Sequence, residues 1–137
     1  HIPPAYEGIR ELIHEQKRRG GLVCVVSLST RENILRDYRV HFGVEPDLIF
    51  SCDDPREQRK PNPYPLEQIM ARYSLSPEQL LMVDDLPTGY QMASKVGVPM
   101  AFAAWSRQQS PALLNAMSKI CDFTFHSTED LRKFLFD

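Results

Sequence analysis

Apolar positions along the chain recur at two spacings, and stretches with helical periodicity alternate with short unbroken runs. Between Tyr6 and Arg19, Ile9, Leu12 and Ile13 fall on one helical face with charges elsewhere, and Gly20 and Gly21 close the segment as a C-terminal cap would. Leu22 to Val26 is then continuously apolar, the pattern of a parallel strand covered on both faces. Thr30 is a candidate N-cap for a helix through Ile34, Leu35 and Tyr38 to about Phe42, with Gly43 following it. Leu48 to Phe50 predicts a second short buried strand.

The segment from Ser51 to Pro65 holds four prolines and a run of charges, which predicts a loop before the helix carrying Leu66, Ile69, Met70 and Tyr73. Ser76-Pro77-Glu78-Gln79 has the make-up of a helix start, with room for a single turn only. Leu80 to Val83 predicts a third buried strand ending at Asp84 and Asp85. Pro87 to Val96 predicts a helix capped by Gly97, and Met100 to Ala104 a fourth strand. Ser110 and Pro111 open a further helix through Leu113, Leu114 and Met117. Phe123 to Phe125 predicts a last strand, and Ser127 caps a final helix ending near Phe136. This alternation predicts one α/β domain over residues 1–137, a three-layer Rossmann-like parallel sheet flanked by helices.

Composition narrows the partners. With a net charge of −2 and 25% charged residues, the chain has no polyanion-seeking field, so neither nucleic acid nor an anionic membrane surface is an expected partner. The longest apolar runs are far too short to span a bilayer, and no secretory signal is present, which predicts a cytoplasmic protein. Cys24, Cys52 and Cys121 form no CxxC and have no nearby histidine pair, so reduced, buried thiols are expected rather than a zinc site.

Ligands in open parallel sheets bind beyond the carboxyl ends of the strands. The first strand ends in Ser27-Leu28-Ser29-Thr30, the third in Asp84-Asp85, and the loop after the second leads to Lys60. Hydroxyls and N–H groups before a helix can hold phosphate oxygens, a lysine can balance charge on a transferring phosphoryl group, and paired carboxylates suit a hard cation such as Mg²⁺. Singly, each has a plainer role. Ser27, Ser29 or Thr30 can cap a helix, Lys60 can be a solvated loop residue, and Asp84-Asp85 can cap the helix ahead of Pro87. It is their order and strand-end placement together that point to phosphoryl chemistry.

Those motifs resemble a known family. VVSLST at Val25 to Thr30, RKPNPYPL at Arg59 to Leu66 and MVDDLPTGYQMASKVGVP at Met82 to Pro99 are similar to the second half of the haloacid dehalogenase superfamily, in its β-phosphoglucomutase and phosphoglycolate phosphatase branch. PAYEGIRELI upstream and DFTFHSTEDL near the end resemble the same family, so nearly the whole chain is covered. The resemblance implies a phosphatase acting on a small phosphorylated metabolite through an aspartyl-phosphate intermediate, with Mg²⁺ as cofactor. It implies that Ser27, with Leu28 and Ser29, binds phosphate, that Lys60 neutralises charge on the nucleophile and the phosphoryl group, and that Asp85 is a direct Mg²⁺ ligand with Asp84 as its partner. Leu86 departs from a frequent serine or threonine.

The family nucleophile is the first Asp of a D-x-D motif, and none of the 137 residues forms one. The resemblance therefore implies that the nucleophile strand and a cap domain precede His1, and that this chain alone is inactive. A lone fragment lacking a central strand would leave backbone groups unpaired, at a cost of about 1 to 3 kcal/mol for each one buried. Two other classes fit parts of the pattern. A non-catalytic or degenerate Rossmann-like phosphate- or metal-binding module would keep the fold without turnover. A receiver domain also combines an acidic pair, a hydroxyl and a lysine, but in a different strand order. The residues do not specify an oligomeric state.

Overall fold

The computed structural model describes residues 5–106 and 110–137. The chain divides into two compact units, His1–Arg59 and Lys60–Asp137.

In the first unit, α1 (Ile9–Arg18), β1 (Cys24–Val26), α2 (Arg31–Phe42) and β2 (Leu48–Phe50) follow one another. β1 and β2 pair in parallel with Val25 opposite Ile49, and the ladder continues past β1 through the Ser27 N–H to Phe50 O bond of 2.9 Å. Thr30 caps α2 by accepting the Asn33 N–H at 3.1 Å. At the other end Gly43 adopts a left-handed φ of 67°, which costs a residue without Cβ little. Arg10 and His14, one turn apart on α1, bind the last carbonyls of α2, at His41 O and Phe42 O, at 2.9 and 2.6 Å. Those contacts satisfy acceptors that a helix end leaves open. Ile13, Ile34, Phe42 and Ile49 form the buried centre.

The second unit contains α3 (Tyr64–Tyr73), β3 (Met82–Asp84), α4 (Pro87–Ser94), β4 (Met100–Ala103), α5 (Pro111–Ile120), β5 (Phe123–Phe125) and α6 (Thr128–Phe136). Its strands form a parallel sheet in the order β3-β4-β5, each successive pair joined through a helix, as parallel pairing requires. β4, flanked on both sides, is buried at every position, and Met92, Ala93, Met117 and Leu131 are buried in the same unit. Ser110 and Ser127 cap α5 and α6 by accepting the N–H groups of Leu113 and Asp130. The expected single turn after Ser76 is present, with Gln79 Oε1 accepting the Ser76 N–H at 2.9 Å.

The architecture is α/β with parallel strands flanked by helices, as the alternation of patterns predicts. Four details differ. β1, β3 and β4 are shorter than the apolar runs that predict them, with β3 beginning at Met82 rather than Leu80, whereas β2 and β5 match theirs. Nor is β3 fully buried: Val83 is 39% exposed, because an edge strand has a neighbour on one flank only. The helix expected after Pro65 starts at Tyr64, with proline at a first-turn position where its missing N–H is harmless. The three cysteines are free, but half-buried rather than buried. Burial still pushes the thiols of Cys24 and Cys121 up to about 11. No helix among the described residues is long and apolar enough to cross a membrane.

Candidate functional site

In the first unit the loop Ser27-Leu28-Ser29 connects the carboxyl end of β1 to the cap of α2. It folds on itself: Ser27 Oγ accepts the Ser29 N–H at 3.1 Å, and the Leu28 side chain stands exposed. The loop after β2 braces it. The Cys52 N–H donates to Ser29 O at 3.0 Å, and Asp53 Oδ2 accepts the Arg31 N–H in the first turn of α2 at 2.8 Å. Ser51, 2% exposed, accepts the Asp53 N–H through its hydroxyl at 3.2 Å. Sequence reading missed this bracing, since SCDDP registers only as a polar loop. Its one available signal was a serine two residues before an aspartate, a spacing at which a hydroxyl bonds the backbone locally.

The second unit brings together Lys60, Asp84 and Asp85. Lys60 Nζ donates to Asp84 Oδ2 at 3.1 Å, with the two side chains 9% and 11% exposed. Asp84 Oδ1 accepts the Asp85 N–H at 2.7 Å, so both of its oxygens are engaged. Burial pushes the Asp84 carboxyl above the ordinary carboxylate range. The Lys60 ammonium opposes that rise, and the neighbouring Asp85 carboxyl adds to it. The lysine loop is itself held, because Lys95, just beyond α4, donates to Pro61 O at 3.1 Å.

Two residues that the sequence did not mark as site residues shape this cluster. Gly89, buried in the first turn of α4, lies so close to Asp84 that an added Cβ would come within 2.6 Å of the Asp84 Cβ. Ser106 donates its hydroxyl to Asp85 Oδ2 at 2.7 Å. A glycine beside a strand-end acid is the only trace the first leaves in the sequence, and Ser106 leaves none.

Asp84 and Asp85 are the residues that could hold a divalent cation. Two adjacent carboxylates at one strand end, one of them raised in pKa chiefly by burial, form a donor set suited to a hard cation. Among the described residues no group of three or more His, Cys, Asp or Glu side chains converges. The pair nevertheless fits Mg²⁺, which commonly takes one or two carboxylates and completes its shell with water and phosphate oxygens.

Parallel strands, connecting helices and an acidic strand end holding a buried lysine define a Rossmann-like α/β domain. The chain belongs to the haloacid dehalogenase-like hydrolases, whose family model matches residues 1–103. Among curated relatives, pyrophosphatase PpaX of Halalkalibacterium halodurans is 29% identical over 103 residues, covering 74% of this chain and 47% of that protein. Phosphoglycolate phosphatase of Rhodospirillum rubrum is 35% identical over 71 residues, covering 51% of this chain and 30% of its own length. The chain thus spans about half or less of the length of these relatives. A structure from Haemophilus somnus described as a predicted phosphoglycolate phosphatase superposes with a TM-score of 0.81 at 18% identity, covering 98% of this chain and 59% of that one. CbbY from Rhodobacter sphaeroides, solved with phosphate, gives a TM-score of 0.71 at 24% identity over 91% of this chain and 55% of its own. At these identities the likeness is one of fold.

Proposed function

We propose that the whole protein is a Mg²⁺-dependent phosphohydrolase acting on a small phosphate ester. The observation that carries this reading is the largely buried Lys60–Asp84 pair beside Asp85 at the carboxyl end of a parallel strand. Membership of a hydrolase family and relatives named as phosphatases support it.

In this reading the nucleophile is an aspartate outside the 137 residues, within sequence preceding His1. Its carboxylate oxygen attacks phosphorus, the bond to the ester oxygen breaks, and the leaving oxygen takes a proton. Water then attacks the aspartyl phosphate, releasing phosphate and restoring the carboxylate. The Ser27 hydroxyl, the Leu28 N–H and the Ser29 hydroxyl bind phosphate oxygens, and Lys60 balances the charge on nucleophile and phosphoryl group. Asp85 is the direct metal ligand and Asp84 its partner. When bound, Mg²⁺ supplies Lewis-acid stabilisation of the phosphoryl oxygens.

The test is hydrolysis of p-nitrophenyl phosphate by the protein at its native length. Turnover should require Mg²⁺ and stop with a chelator, and Asp85→Ala should reduce it to background. Wild-type rates from Asp85→Ala would remove the metal role.

A further inference from the structure

Ser106, at 9% exposure, is with Ser51 one of the two buried polar residues among the described residues. Its Oγ donates to Asp85 Oδ2 at 2.7 Å, the short separation typical of a hydroxyl on a charged carboxylate. Neither the motifs nor the proposed chemistry gives this serine a role.

The backbone that carries it is fixed from two sides. β4 is the central, fully buried strand of its sheet, and the β3–β4 register sets Asp84 opposite Phe102. Directly after β4 the chain turns, with the Ser106 N–H on Ala103 O at 3.3 Å, and the Ala104 N–H reaches across to Phe125 O at 2.9 Å. The hydroxyl is therefore presented by the turn that directly follows β4, the strand next to the one ending at Asp84. An aspartate side chain has two rotatable bonds, and a hydrogen bond from a fixed donor restricts both.

We propose that Ser106 is a positioning residue for the metal-binding carboxylate of Asp85. By holding Oδ2 it keeps the carboxylate in one orientation before a divalent cation arrives, so less ordering remains to be done on binding. The inference rests on the reading of Asp85 as a metal ligand. It also identifies a determinant of metal affinity that follows a different strand from the one preceding Asp85.

Ser106→Ala, Ser106→Thr and Asp85→Ala, each at native length, separate the two ideas when Mg²⁺ binding is measured by calorimetry beside p-nitrophenyl phosphate kinetics. Loss of an outer partner of a metal ligand typically weakens binding about 10- to 100-fold. Ser106→Ala should weaken Mg²⁺ binding about tenfold and raise the half-activating Mg²⁺ concentration by the same factor, leaving KM at saturating Mg²⁺ unchanged. Ser106→Thr, which keeps the hydroxyl, should restore affinity to within about twofold. Ser106→Cys, nearly isosteric with a weaker donor, supplies the same comparison should the alanine variant not fold. Unaltered Mg²⁺ affinity in Ser106→Ala or Ser106→Cys, with binding lost in Asp85→Ala, overturns the positioning role and leaves the proposed function standing. Retained binding and turnover in Asp85→Ala defeats both.

Discussion

Lys60 and Asp84 lie 3.1 Å apart with side chains 9% and 11% exposed, so neither has enough water to stabilise its charge alone. The pair is an arrangement in which removing one partner costs more than removing both. Lys60→Met should therefore lower stability by about 3 kcal/mol, because the Asp84 carboxylate remains buried without its cation. The double replacement Lys60→Met with Asp84→Leu should recover most of that loss. Urea unfolding of the native-length variants measures both, and a single-variant cost below about 1 kcal/mol would show that the carboxylate finds other partners. From the sequence, strand-end order placed Asp84 and Lys60 among the candidates. It could not show that they face each other across 24 positions, since a contact at that separation is set by how the loop before α3 returns toward β3.

At the scale of elements, the start of α4 depends on how closely a helix may approach a strand end. Gly89 lets the first turn lie against Asp84, where a Cβ would meet the carboxylate carbon at 2.7 Å. Gly89→Ala should thus displace either the helix or the acid, at a cost of about 2 kcal/mol. The expected signature is weaker Mg²⁺ activation alongside reduced stability, and unchanged Mg²⁺ activation would show that the helix yields rather than the acid. Hydrophobic spacing and capping chemistry were enough to find the helices, as Thr30, Ser110 and Ser127 each accept the N–H expected of a cap. Strand limits were harder to read. An apolar run such as Leu80 to Val83 reports a preference for burial, whereas pairing with β4 begins only at Met82 and leaves Val83 partly exposed. Gly89 and Ser106 were illegible as site residues for a related reason: both act through a close approach between elements, and periodicity within one element carries no record of its neighbour.

For the molecule as a whole, the proposed function raises the question of which aspartate would attack phosphorus. In the first unit Asp53 and Asp54, beside the loop of Ser27, are poor candidates, because Asp53 accepts the Arg31 N–H at 2.8 Å and Asp54 accepts the Ser51 N–H at 2.8 Å. Both are committed to holding backbone, and freeing either would loosen the loop that carries Ser27. Asp84 is committed to Lys60 and the Asp85 N–H, and the proposed function gives Asp85 to the metal. With no D-x-D motif among the 137 residues, and with a chain spanning about half or less of the relatives it matches, the proposed function takes the attacking carboxylate from outside these residues. The purified 137-residue chain, shown to be folded by a cooperative unfolding transition, should then leave p-nitrophenyl phosphate intact at saturating Mg²⁺, while the native-length protein hydrolyses it. Robust turnover by the chain alone would place the nucleophile inside it. Asp53→Asn would be the first variant to make, since Asp53 is the acid bound nearest in the backbone network to the loop of Ser27.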